Sequence, residues 1–180
     1  MRIAIVTVSD SVSRGTHEDL SGDAIAGWAR ARGDVVQARI LVPDETVEIV
    51  RALVGVCDSG VCDFLVTTGG TGLAPRDVTP EATRAVIAAE VQGFGELMRG
   101  NATRFPRAAL SRGVAGVRGS TLIVNLPGSA GGVRDGLVML DPIIDHACDV
   151  LSGRVKRHGA GDGTGEGTGD GSGDGTRDGA

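Results

Sequence analysis

Apolar positions along the chain come in two patterns, short continuous runs and stretches with helical spacing, and the two alternate. Arg2–Val8 is apolar apart from Arg2 and Thr7, which predicts a strand buried on both faces of a sheet. Leu20, Ala24 and Trp28, with Ile25 beside them, recur at helical spacing and predict a helix that stops near Gly33. Val35–Val42 reads as a second strand, and Pro43-Asp44-Glu45 opens a second helix with the stripe Val47, Val50, Val54 and Cys57. Residues 62–67 read as a third strand, and an apolar-periodic run beginning near Ala82 reads as a third helix. Residues 93–98 suit a short helix or irregular cover. Two β-favouring runs, residues 114–117 and 121–125, flank Arg118-Gly119-Ser120 as a tight hairpin, placing one antiparallel strand in an otherwise parallel sheet. Asp141-Pro142 looks like the cap and first position of a last helix, carrying Ile144, Ala147, Cys148 and Leu151. Alternating strands and helices predict an α/β fold of β-α-β units with right-handed crossovers.

Composition adds limits. With 180 residues, 41% hydrophobic and 23% charged, the chain has the balance of one globular domain, and with 2% aromatics its core must be aliphatic. From Gly159 onward glycine alternates with Ala, Asp, Thr, Glu and Ser. Five acids against Arg177 give that stretch −4 of the chain's −5, leaving −1 for the rest. Residues 156–180 are therefore expected to be a disordered tail and residues 1–155 one domain, and the near-neutral balance of residues 1–158 gives nothing to favour nucleic acid. Gly-Asp recurrence alone does not make a calcium-binding repeat, because the large apolar residue of such repeats is absent. No run is long and apolar enough to span a membrane and no secretion signal opens the chain, so a cytoplasmic location is expected. Cys57, Cys62 and Cys148 form no Cys-x-x-Cys motif and read as buried thiols.

The chemistry concentrates after the strands. Thr67-Thr68-Gly69-Gly70-Thr71-Gly72 follows the third strand, and its three glycines let backbone N–H groups approach an anion closely. Arg76-Asp77-Val78-Thr79-Pro80-Glu81 follows, with Thr79 as a helix N-cap, Pro80 at the first helical position and Glu81 in the first turn. Ser9-Asp10-Ser11 follows the first strand and Asp44 the second. Ligands of open parallel sheets bind at the strands' carboxyl ends, so these segments converge on one cleft, with Pro127-Gly128-Ser129 joining if its strand is parallel. Three carboxylates on one edge suit Mg²⁺, which takes a few carboxylates plus phosphate oxygens. There is no Walker A motif, and the only lysine is Lys156, so a triphosphate must be held by backbone, hydroxyls, arginines and metal. Each acid also has a structural reading: Asp44 as a helix N-cap, worth about 1 kcal/mol, Asp77 as a partner of Arg76 or a brace of its turn, Asp10 as a cap of its loop. His17 and His146 read as surface residues, as do Arg14, Arg112 and Arg134.

Taken in order, Thr7-Val8-Ser9-Asp10-Ser11, the glycine loop through Thr83 and Asn125-Leu126-Pro127-Gly128-Ser129 resemble the MogA/MoaB-type molybdopterin adenylyltransferase family of molybdenum cofactor biosynthesis. The resemblance covers residues 1–155. It implies a Rossmann-like three-layer α-β-α sandwich, a homotrimer, and Mg²⁺-dependent adenylyl transfer from ATP to molybdopterin. It implies Asp44 and Asp77 as catalytic acids and metal ligands. It also implies a nucleotide and pterin pocket lined by Ser9, Asp10, Ser11, Thr68, Gly69, Gly70, Thr71, Gly72, Arg76, Thr79, Glu81, Pro127, Gly128 and Ser129. Ala130-Gly131-Gly132 stands where relatives often carry proline and lysine, so no basic phosphate contact is implied there. A molybdate-inserting enzyme is an expected partner. Two alternatives stand beside this reading: a binding protein of the same fold without turnover, and the molybdate-inserting enzyme itself, whose further domains this length does not accommodate.

Overall fold

The computed structural model describes residues 1–100 and 106–154; the expected tail, with Lys156, lies outside them. A six-stranded sheet runs through the middle in the order β2-β1-β3-β6-β5-β4. Its strands are β1 (Arg2–Val8), β2 (Val35–Val42), β3 (Phe64–Thr68), β4 (Ala89–Glu90), β5 (Ala115–Arg118) and β6 (Thr121–Leu126). β2, β1, β3 and β6 are mutually parallel, while β5 is antiparallel to both β6 and β4. The turn between β5 and β6 has Gly119 at φ +59°, a conformation that glycine adopts without steric cost. One antiparallel strand in a parallel sheet is thus observed, with β4 as a two-residue edge that the sequence pattern did not announce.

Strand side chains alternate across the sheet and build a core on each face. Ile3, Ile5, Phe64, Val66, Leu122 and Val124 face α2 (Leu20–Ala31) and α6 (Ala130–Leu151), meeting Ile25, Ala29, Leu137, Leu140 and Ile144, while Phe94 enters from α5 (Gln92–Gly100). Ala4, Val6, Leu65 and Ile123 face α3 (Thr46–Asp58) and α4 (Thr79–Arg84), meeting Ile49, Leu53, Val56 and Ala82. Helices cover both faces of the sheet, giving a Rossmann-like three-layer sandwich.

Four expectations need correction. The buried stripe of α3 is Ile49, Leu53, Val56 and Cys57, while Val47 is 64% exposed; the helix is apolar nearly all round, so periodicity alone does not select its inner face. The last helix begins at Ala130, not at Asp141, and Pro142 lies inside it on the solvent side. Its N-cap is Ser129, whose Oγ accepts from the Gly132 N–H at 3.1 Å. Asp44 is not an N-cap: Glu45 precedes α3 without any capping side-chain bond. Thr79 is the first residue of α4 rather than its cap, and Val78 occupies the cap position. The three cysteines are free and buried, as expected. Burial pushes their thiols up, Cys57 and Cys148 to about 12 and Cys62 to about 11, which leaves them unreactive near neutrality.

Candidate active site

The carboxyl ends of β1, β2, β3 and β6 bring four loops to one edge. β1 runs into Ser9 and the short helix α1 (Asp10–Ser13), where Ser9 Oγ accepts from the Val12 N–H at 3.3 Å. β2 ends at Pro43-Asp44. Asp10 and Asp44 are tied reciprocally, since the Asp10 N–H donates to Asp44 Oδ2 at 2.8 Å and the Asp44 N–H to Asp10 Oδ1 at 3.2 Å. Arg76 completes the knot with Nε to Asp10 Oδ2 at 2.6 Å and Nη2 to Glu45 Oε1 at 3.0 Å.

After β3 the chain passes through Gly69 at φ +99° and Gly70 at φ +61°. A Cβ on Gly69 would collide with the Val8 carbonyl, and one on Gly70 with the Thr79 hydroxyl, so only glycine permits this path. Thr79 Oγ1 donates to the Gly69 carbonyl at 2.9 Å and its N–H to the Gly70 carbonyl at 3.1 Å. Beneath lies a fully buried polar chain in which Asn125 Nδ2 donates to Thr67 Oγ1 and Thr83 Oγ1, each at 2.9 Å, and Thr83 Oγ1 donates to the Thr79 carbonyl at 2.8 Å. Thr68 Oγ1 reaches the Pro127 carbonyl at 2.7 Å, joining the loop after β3 to the loop after β6.

Two cleft lobes result. One, of about 460 Å³, is lined by Ser9, Ser11, Asp44, Thr68, Gly69 and the exposed His17; the other, of about 480 Å³, by Gly70, Thr71, Gly72 and Asp77. Gly70, Gly128 and Ser129 line both, so the lobes share a boundary. The second lobe adds Met98, Leu110, Pro127 and Met139 as apolar walls and the half-buried Asp135, of which only Pro127 was singled out in the sequence. The other sequence candidates do not line either lobe: Asp10 and Arg76 pair beside Asp44, Thr79 is buried under the glycine loop, and Glu81 pairs with Arg112. Asn125 and Arg112 were not singled out as site residues; a buried asparagine at the end of an apolar strand is the signal for the first.

Electrostatics separate the acids. Burial pushes the Asp44 carboxyl above its ordinary value, and the negative charges of Asp10 and Asp77 push the same way, against the Asp10 N–H and Arg76. The hydrogen bonds from Arg76 hold Asp10 below the usual carboxylate range. Asp77 turns Oδ2 onto the Ala74 N–H at 2.7 Å, so its partner is its own turn and not Arg76. Among the described residues no three His, Cys, Asp or Glu side chains are grouped to hold a metal. The oxygen donors of Asp44 and Asp77 nevertheless suit Mg²⁺, which takes one or two carboxylates and completes its shell with phosphate oxygens and water. No helix among them is long and apolar enough to cross a membrane.

Residues 4–146 match the family model described as a probable molybdopterin binding domain. The chain is 40% identical over 163 residues to the molybdopterin adenylyltransferase of Helicobacter pylori strain J99, covering 85% of this chain and 89% of that protein. It is 41% identical to the molybdopterin adenylyltransferase of Escherichia coli K12, over 76% of this chain and 72% of that one. The molybdopterin biosynthesis enzyme MoaB of Thermus thermophilus superposes with a TM-score of 0.80 at 48% identity, covering 84% of this chain and 96% of that structure. The family model over residues 4–146, a relative 40% identical over 163 residues and the agreement in fold make the chain a member of the MogA/MoaB-type molybdopterin adenylyltransferase family of molybdenum cofactor biosynthesis.

Proposed function

We propose that this protein transfers the adenylyl group of ATP to the terminal phosphate of molybdopterin with Mg²⁺, releasing pyrophosphate. The observation that carries the reading is the placement of Asp44 and Asp77 in adjoining cleft lobes around one bare glycine loop. A molybdopterin phosphate oxygen attacks the α-phosphorus of ATP, one P–O bond forms, and the bond to the β-phosphate oxygen breaks with the electron pair leaving on pyrophosphate. Such transfer needs position and charge stabilisation more than a covalent nucleophile, and the cleft offers backbone and acids rather than an activated serine or cysteine. Glycine-loop N–H groups take the phosphate oxygens, and the apolar walls of Met98, Leu110 and Met139 take a flat ring. Mg²⁺ held by Asp44 and Asp77 would neutralise triphosphate charge. Arg76, 54% exposed, is placed beside Asp10 and Glu45 to orient Asp44. A homotrimeric assembly and hand-over to a molybdate-inserting enzyme belong to the same reading.

Pyrophosphate release on mixing the protein with molybdopterin, ATP and Mg²⁺, against the Asp77→Asn variant, tests it. Release by the wild type and its loss in the variant are expected. Tight molybdopterin binding without release would instead make the chain a binding protein.

A further inference from the structure

Arg112 sits between the 3-10 turn Pro106–Leu110 and β5, outside every segment that the sequence assigned to the site, yet it holds three carbonyls of the glycine loop and the turn after it. Its N–H donates to the Thr71 carbonyl at 2.9 Å and its Nε to the Gly72 carbonyl at 2.7 Å. Nη2 donates to the carbonyl of Asp77, and Nη1 pairs with Glu81 in the first turn of α4. The base of this clamp is itself fixed. A Cβ on Gly113 would come within 2.9 Å of the Asn125 carbonyl, and the Asn125 N–H donates to the Val114 carbonyl at 2.9 Å.

We infer that Arg112 is a positioning residue, which sets where the Asp77 carboxylate stands in the cleft. The turn from Gly72 to Asp77 has internal bonds of its own, Asp77 N–H to the Ala74 carbonyl at 2.9 Å and Ala74 N–H to Asp77 Oδ2 at 2.7 Å. Those bonds close the turn without fixing its distance from the sheet. The guanidinium spans both ends of the turn with donors in a rigid planar fork, which a lysine ammonium cannot reproduce. Glu81 holds the fork from its far side.

The functional half of this inference rests on the adenylyl-transfer reading, and its structural half does not. Hydrogen exchange is measured by mass spectrometry on the wild type, Arg112→Ala and Arg112→Lys. Faster exchange of the Ala74 and Asp77 amides, the bonded N–H groups of the turn, in Arg112→Ala, with the protection of β1 and β3 kept, is expected. Unchanged exchange there would overturn the clamp, whatever the activity. In pyrophosphate-release kinetics Arg112→Ala should lower kcat about 10- to 100-fold, as a misplacement of about 1 Å does, with the KM for ATP kept and Arg112→Lys restoring little. An unaltered kcat in Arg112→Ala, or full restoration by Arg112→Lys, would overturn the positioning role. A wild type that releases no pyrophosphate would sink the transfer reading while the exchange measurement still decides the clamp.

Discussion

Asp10 and Asp44 hold each other through backbone N–H groups, at 2.8 and 3.2 Å, so two carboxylates that repel are kept side by side by their own main chains. Arg76 engages Asp10 with two nitrogens, at 2.6 and 2.9 Å, and has no direct hydrogen bond to Asp44. Of the two, Asp44 is the acid whose charge no arginine pairs.

Removing that charge should stabilise the protein and stop its chemistry. The folded state raises the pKa of Asp44, so its favourable contribution is complete below the ordinary carboxylate value, about 4, and is lost as pH rises through the raised value. Asp44→Asn should therefore melt higher than wild type near pH 7, and the gap should close towards pH 4. A lower Tm for the variant at pH 7 would contradict this electrostatic account. Pyrophosphate release should be lost at either pH.

Glycines in this chain divide by what surrounds them. Gly69→Ala forces an L side chain to φ +99° against the Val8 carbonyl, so it should cost about 2 kcal/mol or more and weaken nucleotide binding. Gly55→Ala, in the open on α3, should stabilise by about 0.5–1 kcal/mol with activity unchanged. Urea titrations of the two variants give the comparison.

Asn125→Leu should lose about 2–4 kcal/mol. The Val114 N–H, which Asn125 Oδ1 accepts at 3.2 Å, would be left buried without a partner, and two threonine hydroxyls would lose their donor. A loss under about 1 kcal/mol, the net worth of one ordinary hydrogen bond, would mean that the network relaxes around the change.

Pro142→Ala should stabilise α6 by about 2 kcal/mol, since an interior proline costs about 3 kcal/mol and its rigidity in the unfolded chain returns up to about 1. Trp28, the only tryptophan, reports the change. Its Nε1 donates to Asp141 at 3.2 Å and Arg32 stacks on its ring 5.0 Å from the centroid. Thermal melts followed by its fluorescence check the direction.

The strands and the glycine loop were legible because local chemistry decides them. β1 and β2 keep their predicted bounds, and the polar segments after β1, β2, β3 and β6 do meet on one edge. Asp141-Pro142 misled because a proline that starts a helix and one tolerated on a helix's exposed face look the same along the chain; packing of Leu137 and Leu140 below it carries α6 through. Arg112 had no local signal at all. An arginine's worth at this place lies in the Gly72 and Asp77 carbonyls and the Glu81 carboxylate, which only the folded loops bring together, and periodicity does not register them.

A Cβ on Gly128 would stand 3.1 Å from the Cα of Gly69, so the loops after β3 and β6 touch as bare backbone at the boundary of the two lobes. A methyl group on Gly128 would raise a partition there. Two reactants bound on opposite sides would then be walled apart, and each could still be held while neither reached the other. The measurable signature of such a partition is a variant that retains both separate affinities and has lost only the encounter between them.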